Sequence, residues 1–555
     1  MRRIYTILSI ILVSVSSCDE VLNIDSPKHF TENVIWSGSE GALNSYIIGH
    51  YGELRDRAQL NGLDSKFTDA LSDIIKSGDW NQVQRYNRAS VLSSYFTPEG
   101  CGILETWGTA YGRIKRENEF FRDLEIYKDR YRTEFIQPRV AEMHFIRAFS
   151  YFYLARVYGG VVIRTNVDGP GENDKPRATE EATWQFIIDE LQLAVKDLPL
   201  TWGANNFGRI TKAAGYGFLS RVALYAKQWD VAIEAAQKCK EAGGSLEPDY
   251  AKVFSNQHSK ENLITVTFFQ RNVAANLTTN SDIMFRPSGD ATDSNEGDAS
   301  ASEKRVTILS WLVPTAELAD EYEMADGTPF SWETHGSAPY TGREKRFYAS
   351  ILYNGAKWEN RIIETFQGGK DGIQPFEKSG QTTSTVTGYY LKKFVTENDT
   401  TWIVNGSSHF DILLRYAEVL LNKAEALAQK DWNGNKEAAL AALNKVRARA
   451  GLPAKEATSL EEFMQLIEHE RMVELAGEGF RYWDLRRWRR SMAVLNGKNM
   501  HGTLITKEAD GSFKYKKIDV DSGDTRVFME RYYAFSIPQA ERTKNKALGE
   551  NNPGW

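Results

Sequence analysis

The sequence predicts a mainly α-helical protein: a scaffold of about four tetratricopeptide-like helical pairs that carries an irregular, partly β lobe. Three observations support this prediction. Apolar and small residues recur at helical spacing over most of the chain. In the paired segments, small residues lie where two helices would touch, as in helix-turn-helix repeats. A central block instead carries β-type runs, separated by stretches rich in Gly, Ser, Thr and Asp.

Composition bounds the class of protein. Of 555 residues, 26% are charged and 41% hydrophobic, which is an ordinary globular composition with room for a large core. The 68 Lys and Arg residues nearly balance the 74 Asp and Glu residues, so the net charge is only −6. This balance argues against nucleic acid or an anionic lipid surface as the main partner.

The N terminus has the layout of a secretory signal peptide, which we assign to residues 1–17. Arg2 and Arg3 precede an apolar run at 7–15, which is about half of the roughly 20 residues that a spanning helix needs. Small residues then lead to Cys18, and residues 15–18 resemble the lipobox of bacterial lipoproteins. That resemblance implies that Cys18 is the lipidated first residue of the mature chain, with more than one acyl chain for stable anchoring. An ordinary cleaved signal is the alternative.

The acidic pair after Cys18 bears on where the protein faces. Asp19 and Glu20 resemble the surface-export signal of Bacteroidetes lipoproteins. The expected location is therefore the outer membrane, with the protein held by lipid and facing the cell exterior.

The helical pairs share one plan: a helix, a short break and a second helix. In chain order they are 140–158 with 184–198, 213–227 with 229–236, 414–429 with 437–450, and 460–475 with 483–488. A plain helical bundle is the alternative architecture. Cys239 falls on the apolar stripe of the second pair, which favours a buried thiol over a disulfide to Cys101.

The remaining segments differ from these pairs. The clearest β-type runs are 263–269 and 389–395. The acidic stretch 289–298 indicates a loop, with a calcium site as the weaker alternative because the ligand spacing of an EF-type loop is absent. The tail 533–555 ends in a polar stretch broken by Gly and Pro, and we expect it to lie along the scaffold.

Several motifs, in order, resemble the SusD/RagB family of surface lipoproteins of Bacteroidetes. The segments that carry the resemblance are 107–118, 141–148 with 154–160, 314–318 with 326–327, 414–418, 444–451, 470–471 with 474–475 and 479–488, 537–538, and Asn551 with Pro553. Within them, Arg471 with Glu474 and Arg481 with Asp484 stand three residues apart, which predicts ion pairs within helices. The resemblance covers nearly the whole mature chain.

The resemblance implies a single SusD-like domain over 18–555. Its helical scaffold would occupy about 40–254 and 406–490, its irregular lobe about 255–405, and its C-terminal tail about 491–555. It also implies a glycan-binding lipoprotein that delivers oligosaccharides to a SusC-like TonB-dependent transporter. A RagB-like protein that imports peptides is the alternative.

The expected ligand site lies on loops outside the repeats, because sugars bind aromatic faces flanked by polar groups. The family has no fixed ligand motif, so the resemblance indicates only two regions, an N-terminal loop and the lobe. The candidate residues are Asp69, Asp73, Trp80, Asn81, Phe285, Trp332, Trp358, Arg361 and Tyr389. Trp80 is the best single candidate because Gly78, Asp79 and Asn81 suggest a turn around it. The apolar neighbours of Trp311 favour the core.

No catalytic motif stands out. A surface glycoside hydrolase would need two carboxylates about 5 to 10 Å apart at a sugar cleft, and no local signature ties any acid to such a cleft. The string at 468–472 lacks the second histidine of a zinc-protease motif, and the eight histidines show no ligand spacing. We therefore expect no enzymatic activity, no cofactor and no catalytic metal.

Overall fold

The computed structural model describes residues 32–52, 54, 66–78, 80–169, 171–203, 206–256, 258–267, 312–358, 361–375, 384–393 and 410–555. The predictions for the signal peptide with Cys18, for Phe285, for the stretch 289–298 and for Trp311 lie outside these residues. Within the described residues, the predicted mainly α-helical fold with paired helices is confirmed.

The longer helices form the scaffold, and from Trp107–Tyr127 onward each long helix packs against the next one in chain order. They are Glu40–His50, Trp80–Val91, Trp107–Tyr127, Thr133–Tyr158, Glu180–Asp197, Lys212–Tyr225, Trp229–Glu241, Tyr416–Lys430, Trp432–Ala450 and Leu460–Glu474. Shorter α-helices are Glu32–Ile35, Tyr250–Val253, Ala316–Glu321, Trp332–His335, Lys345–Ser350, Arg481–Arg487, Ser491–Leu495 and Gln539–Lys544. The 3₁₀ segments are Lys66–Leu71, Gly102–Leu104, Lys128–Arg130, Glu530–Tyr533 and Lys546–Leu548.

Side-chain caps fix where several scaffold helices begin. The hydroxyls of Thr179, Thr211 and Ser459 accept hydrogen bonds from the backbone N–H three residues on, at 3.0 to 3.3 Å. Such a cap contributes about 1 kcal/mol because it satisfies a donor that the helix leaves unpaired. Gly451, with φ of 80°, ends the helix Trp432–Ala450 in the left-handed conformation that glycine adopts without strain.

Two predicted boundaries in the third pair are wrong. Leu414, expected to begin a helix, belongs to the strand Phe410–Arg415, and the helix begins at Tyr416. The second helix of this pair begins at Trp432, because the carboxylate of Asp431 accepts from the Gly434 N–H and caps it. Local apolar spacing could not reveal either boundary.

The described strands form two-stranded antiparallel ladders. They are Asn262–Thr267 with Phe410–Arg415, Ile75–Lys76 with Val313–Pro314, Ile351–Leu352 with Tyr390–Leu391, Lys357–Trp358 with Arg361–Ile362, and His501–Lys507 with Phe513–Asp519. Residues 263–267 of the predicted run 263–269 are therefore in a strand, and the last two residues of that run lie outside the described part of the chain. The run 389–395 contributes only two paired residues among those described. The last ladder, here called the C-terminal hairpin, lies in the segment assigned as tail and was not predicted.

The core centres on the helix Thr133–Tyr158, which is buried all round from Phe145 to Tyr158. The ring of Phe218, from the helix Lys212–Tyr225, packs against this helix: its centroid lies 5.4 Å from that of Phe149 and 5.2 Å from that of Phe152. Each fully buried large side chain contributes roughly 1.5–3 kcal/mol through the hydrophobic effect.

Both internal cysteines are free thiols. Cys101 and Cys239 are fully buried, and burial raises the pKa of each thiol. The prediction that Cys239 is a core residue is confirmed.

The ion pairs predicted within helices, Arg471 with Glu474 and Arg481 with Asp484, are wrong, because each of these residues pairs with another partner. Arg471 pairs with Asp484 at 2.8 Å, and Arg481 pairs with Asp73 at 2.8 Å. Glu474 instead binds Arg415 at 2.6 Å, together with Arg346 and Arg449. The pairs join separate elements of the fold. Because these arginines and acids are buried, removing one partner would leave an uncompensated charge in the interior.

The end of the chain lies along the scaffold, as predicted. The Phe535 N–H donates to the Val157 carbonyl, and the Asn552 side chain donates to the Tyr158 carbonyl. The Trp555 ring stacks on Tyr532 with centroids 5.8 Å apart. Among the described helices, none combines the length and the apolar character needed to cross a membrane.

Candidate functional site

Three aromatic rings meet at an open groove of about 580 Å³, here called the aromatic groove. The described residues that line it are Trp332, Gly336, Phe513, Lys514, Tyr515 and Lys517. Trp332 begins the short helix Trp332–His335, and the others except Gly336 belong to the C-terminal hairpin. The groove therefore joins the lobe to a segment nearly 180 residues further along the chain.

Hydrogen bonds hold the Trp332 ring in place. Its indole Nε1 donates to both carboxylate oxygens of Asp320, each at 3.1 Å. Asp320 is carried by the helix Ala316–Glu321, which the Thr315 hydroxyl caps. Because its polar edge is engaged, Trp332 presents a half-buried ring whose orientation is fixed before any ligand arrives.

The hairpin supplies the other two rings by strand alternation. Phe513 and Tyr515 are two residues apart in one strand, so their side chains project from the same face of the hairpin. Tyr515 lies 5.9 Å from Trp332 and meets Tyr340 edge-to-face at 5.8 Å between centroids. Phe513 packs on Phe366 at 5.5 Å. Each ring is supported from behind, which leaves the groove side available for contact.

The charges around the groove differ in burial. Burial raises the pKa of Asp320 to about 6, while the Trp332 hydrogen bond opposes that shift. Lys514 pairs with Glu508 at 2.9 Å, and Lys517 lies 3.4 Å from Glu317. The two lysines are exposed, so solvent screens these pairs.

Of the residues predicted to bind a ligand, the structure places only Trp332 in the aromatic groove. Trp80 and Asn81 begin the helix Trp80–Val91, so the turn expected around Trp80 is wrong. The side chains of these two residues, and Phe285, lie outside the described part of the chain.

Asp69 and Asp73 have structural roles. Asp69 is fully buried, and its two carboxylate oxygens accept from the backbone N–H groups of Gly479 and Arg481 at 2.9 and 3.0 Å. Asp73 forms a two-pronged ion pair with the guanidinium of Arg481 at 2.9 and 2.8 Å. We correct the prediction for both residues, because these contacts fasten the N-terminal segment to the scaffold and leave no free carboxylate face.

Trp358 and Tyr389 are also buried. Trp358, 2% exposed, belongs to a small core within the lobe. Tyr389, 1% exposed, bonds through its hydroxyl to Thr503 at 2.9 Å, and burial raises its pKa to about 12. Both were predicted to bind ligand, and both are corrected to packing residues because their rings are covered by protein.

Arg361 is partly exposed, but its guanidinium is engaged. It makes two parallel hydrogen bonds to Asp371, at 2.6 and 2.7 Å. A ligand would have to compete with this bidentate pair, so the structure assigns Arg361 to the lobe's own framework.

Sequence reasoning missed Phe513 and Tyr515. The alternation of aromatic and lysine residues at 513–517 is the signal of a half-buried strand and could have revealed them. The segment was instead assigned to the tail, outside the two regions in which a ligand site was expected.

Among the described residues, no three His, Cys, Asp or Glu side chains gather where they could hold a metal ion. The stretch weighed as a calcium site lies outside those residues. The aromatic groove offers rings, hydroxyl and ammonium groups, which suit non-covalent recognition of a ring-shaped or extended ligand.

The fold defines a class, a helical-repeat scaffold with an irregular lobe, and comparison with known proteins defines the family. Residues 260–555 match the model of the SusD family. Residues 22–224 match a SusD-like model described as starch-binding and associating with the outer membrane. Because the first match covers more than half of the chain, the protein belongs to the SusD family.

Individual relatives match this chain along nearly its whole length. SusD-like protein P38 of Formosa agariphila is 22% identical over 539 residues, which cover 89% of this chain and 93% of that protein. A SusD-like protein of Bacteroides fragilis has a similar fold with a TM-score of 0.77 at 25% identity, covering 95% of this chain and 99% of the other. A SusD-like carbohydrate-binding protein of the same species gives 0.73 at 23% identity, covering 93% and 100%.

Proposed function

We propose that this protein is a surface glycan-binding lipoprotein that captures oligosaccharides and delivers them to a SusC-like TonB-dependent transporter. The observation that carries the binding role is the convergence of Trp332, Phe513 and Tyr515 on one open groove. Aromatic faces stack on the apolar C–H side of sugar rings, and neighbouring polar groups bond the hydroxyls. The starch-binding description of the matched family and the carbohydrate-binding structural relative support the same role.

A binding role fits the groove better than hydrolysis does. Glycoside hydrolysis needs two carboxylates on either side of the scissile bond, and the described lining of the groove includes none. Incubation with polysaccharides should therefore release no reducing ends. Release of new reducing ends that stops when a single carboxylate is replaced would point to a surface glycoside hydrolase instead.

Peptide capture is the second candidate for the groove, because aromatic rings also bind peptide side chains. One binding screen separates the two: the purified protein is tested against polysaccharides and against peptide mixtures, with Trp332→Ala as the control. Binding of at least one polysaccharide that weakens in Trp332→Ala supports glycan capture. Binding of peptides alone, weakened by the same substitution, supports the RagB-like alternative.

The membrane and transporter parts of the proposal rest on the N terminus and on the family. A lipid anchor at Cys18 would hold the protein at the outer membrane, where a transporter is the natural recipient of captured ligand. A lasting complex with the transporter requires a large interface. Because a large interface dissociates slowly, the complex should survive gentle detergent extraction. Purification from native membranes should yield a barrel transporter together with this protein, and recovery of the protein alone under every detergent tried would argue for a free-standing binding protein.

A further inference from the structure

The aromatic groove carries one sign of charge. Six described residues line it, and the two charged ones, Lys514 and Lys517, are both cationic. The protein as a whole has a net charge of −6, so a general attraction for anions does not explain this arrangement. Their acid partners, Glu508 and Glu317, do not line the groove.

Both ammonium groups are available to a ligand. Lys514 is 74% exposed and reaches Glu508 at 2.9 Å, while Lys517 is 48% exposed and lies 3.4 Å from Glu317. Surface pairs of this kind are weak, because water solvates both charges and the long side chains lose freedom when they pair. A carboxylate or sulfate brought into the groove can therefore exchange with the present partners at little cost.

Glu317, the acid that Lys517 would leave, has another hydrogen-bond partner in His501. Glu317 accepts from the His501 backbone N–H at 3.0 Å, and its other oxygen lies 2.6 Å from the His501 ring nitrogen Nδ1. Moving Lys517 toward a ligand would thus leave Glu317 hydrogen-bonded. This arrangement keeps the acid engaged at the hairpin base while the lysine is free to turn to the groove.

The placement of rings and lysines matches an acidic sugar. In a uronic acid or a sulfated sugar, the negative group is attached at the edge of a ring whose face is apolar enough to stack. Lys517 is two residues from Tyr515 in the same strand, so its side chain projects from the face that carries the two hairpin rings, and Lys514 also lines the groove. A stacked ring would then place its anionic group within reach of a charge-assisted hydrogen bond.

We propose that the aromatic groove selects acidic oligosaccharides, with uronate or sulfate groups bound by Lys514 and Lys517. This inference rests on the proposed glycan-binding function and narrows its substrate class. The rings would supply affinity for sugar in general, and the lysines would supply the preference for charge.

The test uses matched polymers and matched variants. The purified protein in detergent is titrated with polygalacturonate, alginate and chondroitin sulfate, and with fully methyl-esterified pectin and other neutral polysaccharides. Esterified pectin has the same backbone as polygalacturonate without its charge. The variants are the pair Lys514→Gln with Lys517→Gln, the charge-preserving pair Lys514→Arg with Lys517→Arg, and Lys516→Gln. Lys516 is in the same strand but does not line the groove.

We expect at least one acidic polymer to bind, and the double Gln variant to weaken it by about tenfold in Kd, as two lost surface charge contacts imply. The Arg pair and Lys516→Gln should bind nearly as the unmodified protein does. Raising the ionic strength from about 0.01 M to about 1 M, which shortens the Debye length from roughly 30 to 3 Å, should weaken binding further.

Two results would overturn the inference, and they differ in what they say about the function. Suppose that the protein binds only neutral glycans, and that the affinity depends on Trp332 but changes neither with ionic strength nor with the lysine substitutions. Glycan capture would then stand, and the inference of acidic selectivity would fail. If no polysaccharide of either kind binds, both proposals fail together.

Discussion

The indole nitrogen of Trp332 donates to both carboxylate oxygens of Asp320, each at 3.1 Å. The bond links a partly exposed ring to a mostly buried acid, so the ring's polar edge points into the protein and its faces remain for contact. Such a tether fixes the ring's orientation in the unbound protein, which reduces the entropy lost on binding.

Replacing Trp332 with Ala should weaken glycan binding by about tenfold, because a stacked ring contributes about 0.5–1.5 kcal/mol beyond its buried area. The melting temperature should stay near that of the unmodified protein, since Trp332 is only half-buried. Isothermal titration and far-UV spectra measure both. Phe207→Ala is the control, as Phe207 is 53% exposed and does not line the groove. An unfolded Trp332→Ala would show instead that the ring serves packing.

Asp320→Ala should weaken binding although Asp320 does not line the groove, because the Trp332 ring loses both hydrogen bonds that orient it. Asp320→Asn keeps one acceptor oxygen and should lose less. The expected order of affinity is therefore unmodified, then Asn, then Ala, measured by titration with the same glycan. The change in tryptophan fluorescence on binding should follow that order too. Equal affinity in all three proteins would mean that the ring is oriented by its other neighbours.

The Arg471–Asp484 pair should be costly to break. Asp484 is buried and also accepts from Arg487 at 2.8 Å, so Asp484→Ala leaves two buried guanidinium groups without that carboxylate. We expect the free energy of unfolding to fall by about 3–5 kcal/mol in urea denaturation. The comparison is Arg132→Ala, which breaks an exposed pair with Glu40 and should leave stability unchanged within error. Similar losses in the two variants would contradict the structural role of Asp484.

Asp69 should make stability depend on pH. Burial raises its pKa to about 7 from an ordinary value of 3.8, so between about pH 4 and pH 7 the folded state holds a proton that the unfolded state has released. The contribution of Asp69 to the free energy of unfolding therefore falls as the pH rises through that window. The stability advantage of the unmodified protein over Asp69→Asn should be larger at pH 5 than at pH 8.

The same variant separates structure from ligand binding at Asp69. Urea denaturation at the two pH values gives the stability difference, and titration with glycan gives the affinity. Because the carboxylate is buried against Gly479 and Arg481, the affinity of the folded variant should match that of the unmodified protein. A stability difference that does not change between the two pH values would show that Asp69 is ionised throughout the range.

Cys18→Ala should release the protein from the membrane fraction, because the substitution removes the only expected attachment point for lipid. Cell fractionation followed by immunoblotting measures this, with Cys101→Ala as the control for loss of a thiol, provided that this variant folds. Retention of Cys18→Ala in the membrane fraction would argue for an ordinary cleaved signal and another means of attachment.

The scaffold could be predicted because helix formation is largely local. Apolar periodicity and small residues marked helices in all four pairs, and caps such as Thr211 and Ser459 are visible in the sequence. The boundary at Leu414 failed because a long-range partner decides it, whereas the start at Trp432 was missed although its cap, Asp431, is the preceding residue. Leu414 belongs to a strand because that strand pairs with Asn262–Thr267, and the residues near Leu414 in the sequence do not indicate this pairing.

The candidate site was predicted less well. Trp332 lines the aromatic groove, but Phe513 and Tyr515 were missed, and Asp69, Trp358 and Tyr389 proved to be buried. A residue type shows what chemistry a side chain can perform. Whether that side chain reaches solvent depends on segments far along the chain, such as Gly479 and Arg481, whose backbone N–H groups bind Asp69.

The sequence by itself determined the helical pairs, the buried thiol of Cys239 and the family, because periodicity, composition and motif order are written along the chain. It also supplied the prediction of a lipid anchor at Cys18. Only the tertiary structure decided which arginine meets which acid, which aromatic rings stay exposed, and that the hairpin completes a groove begun by Trp332. Ion pairing and solvent exposure depend on distances between residues remote in sequence, and those distances exist only once the chain has folded.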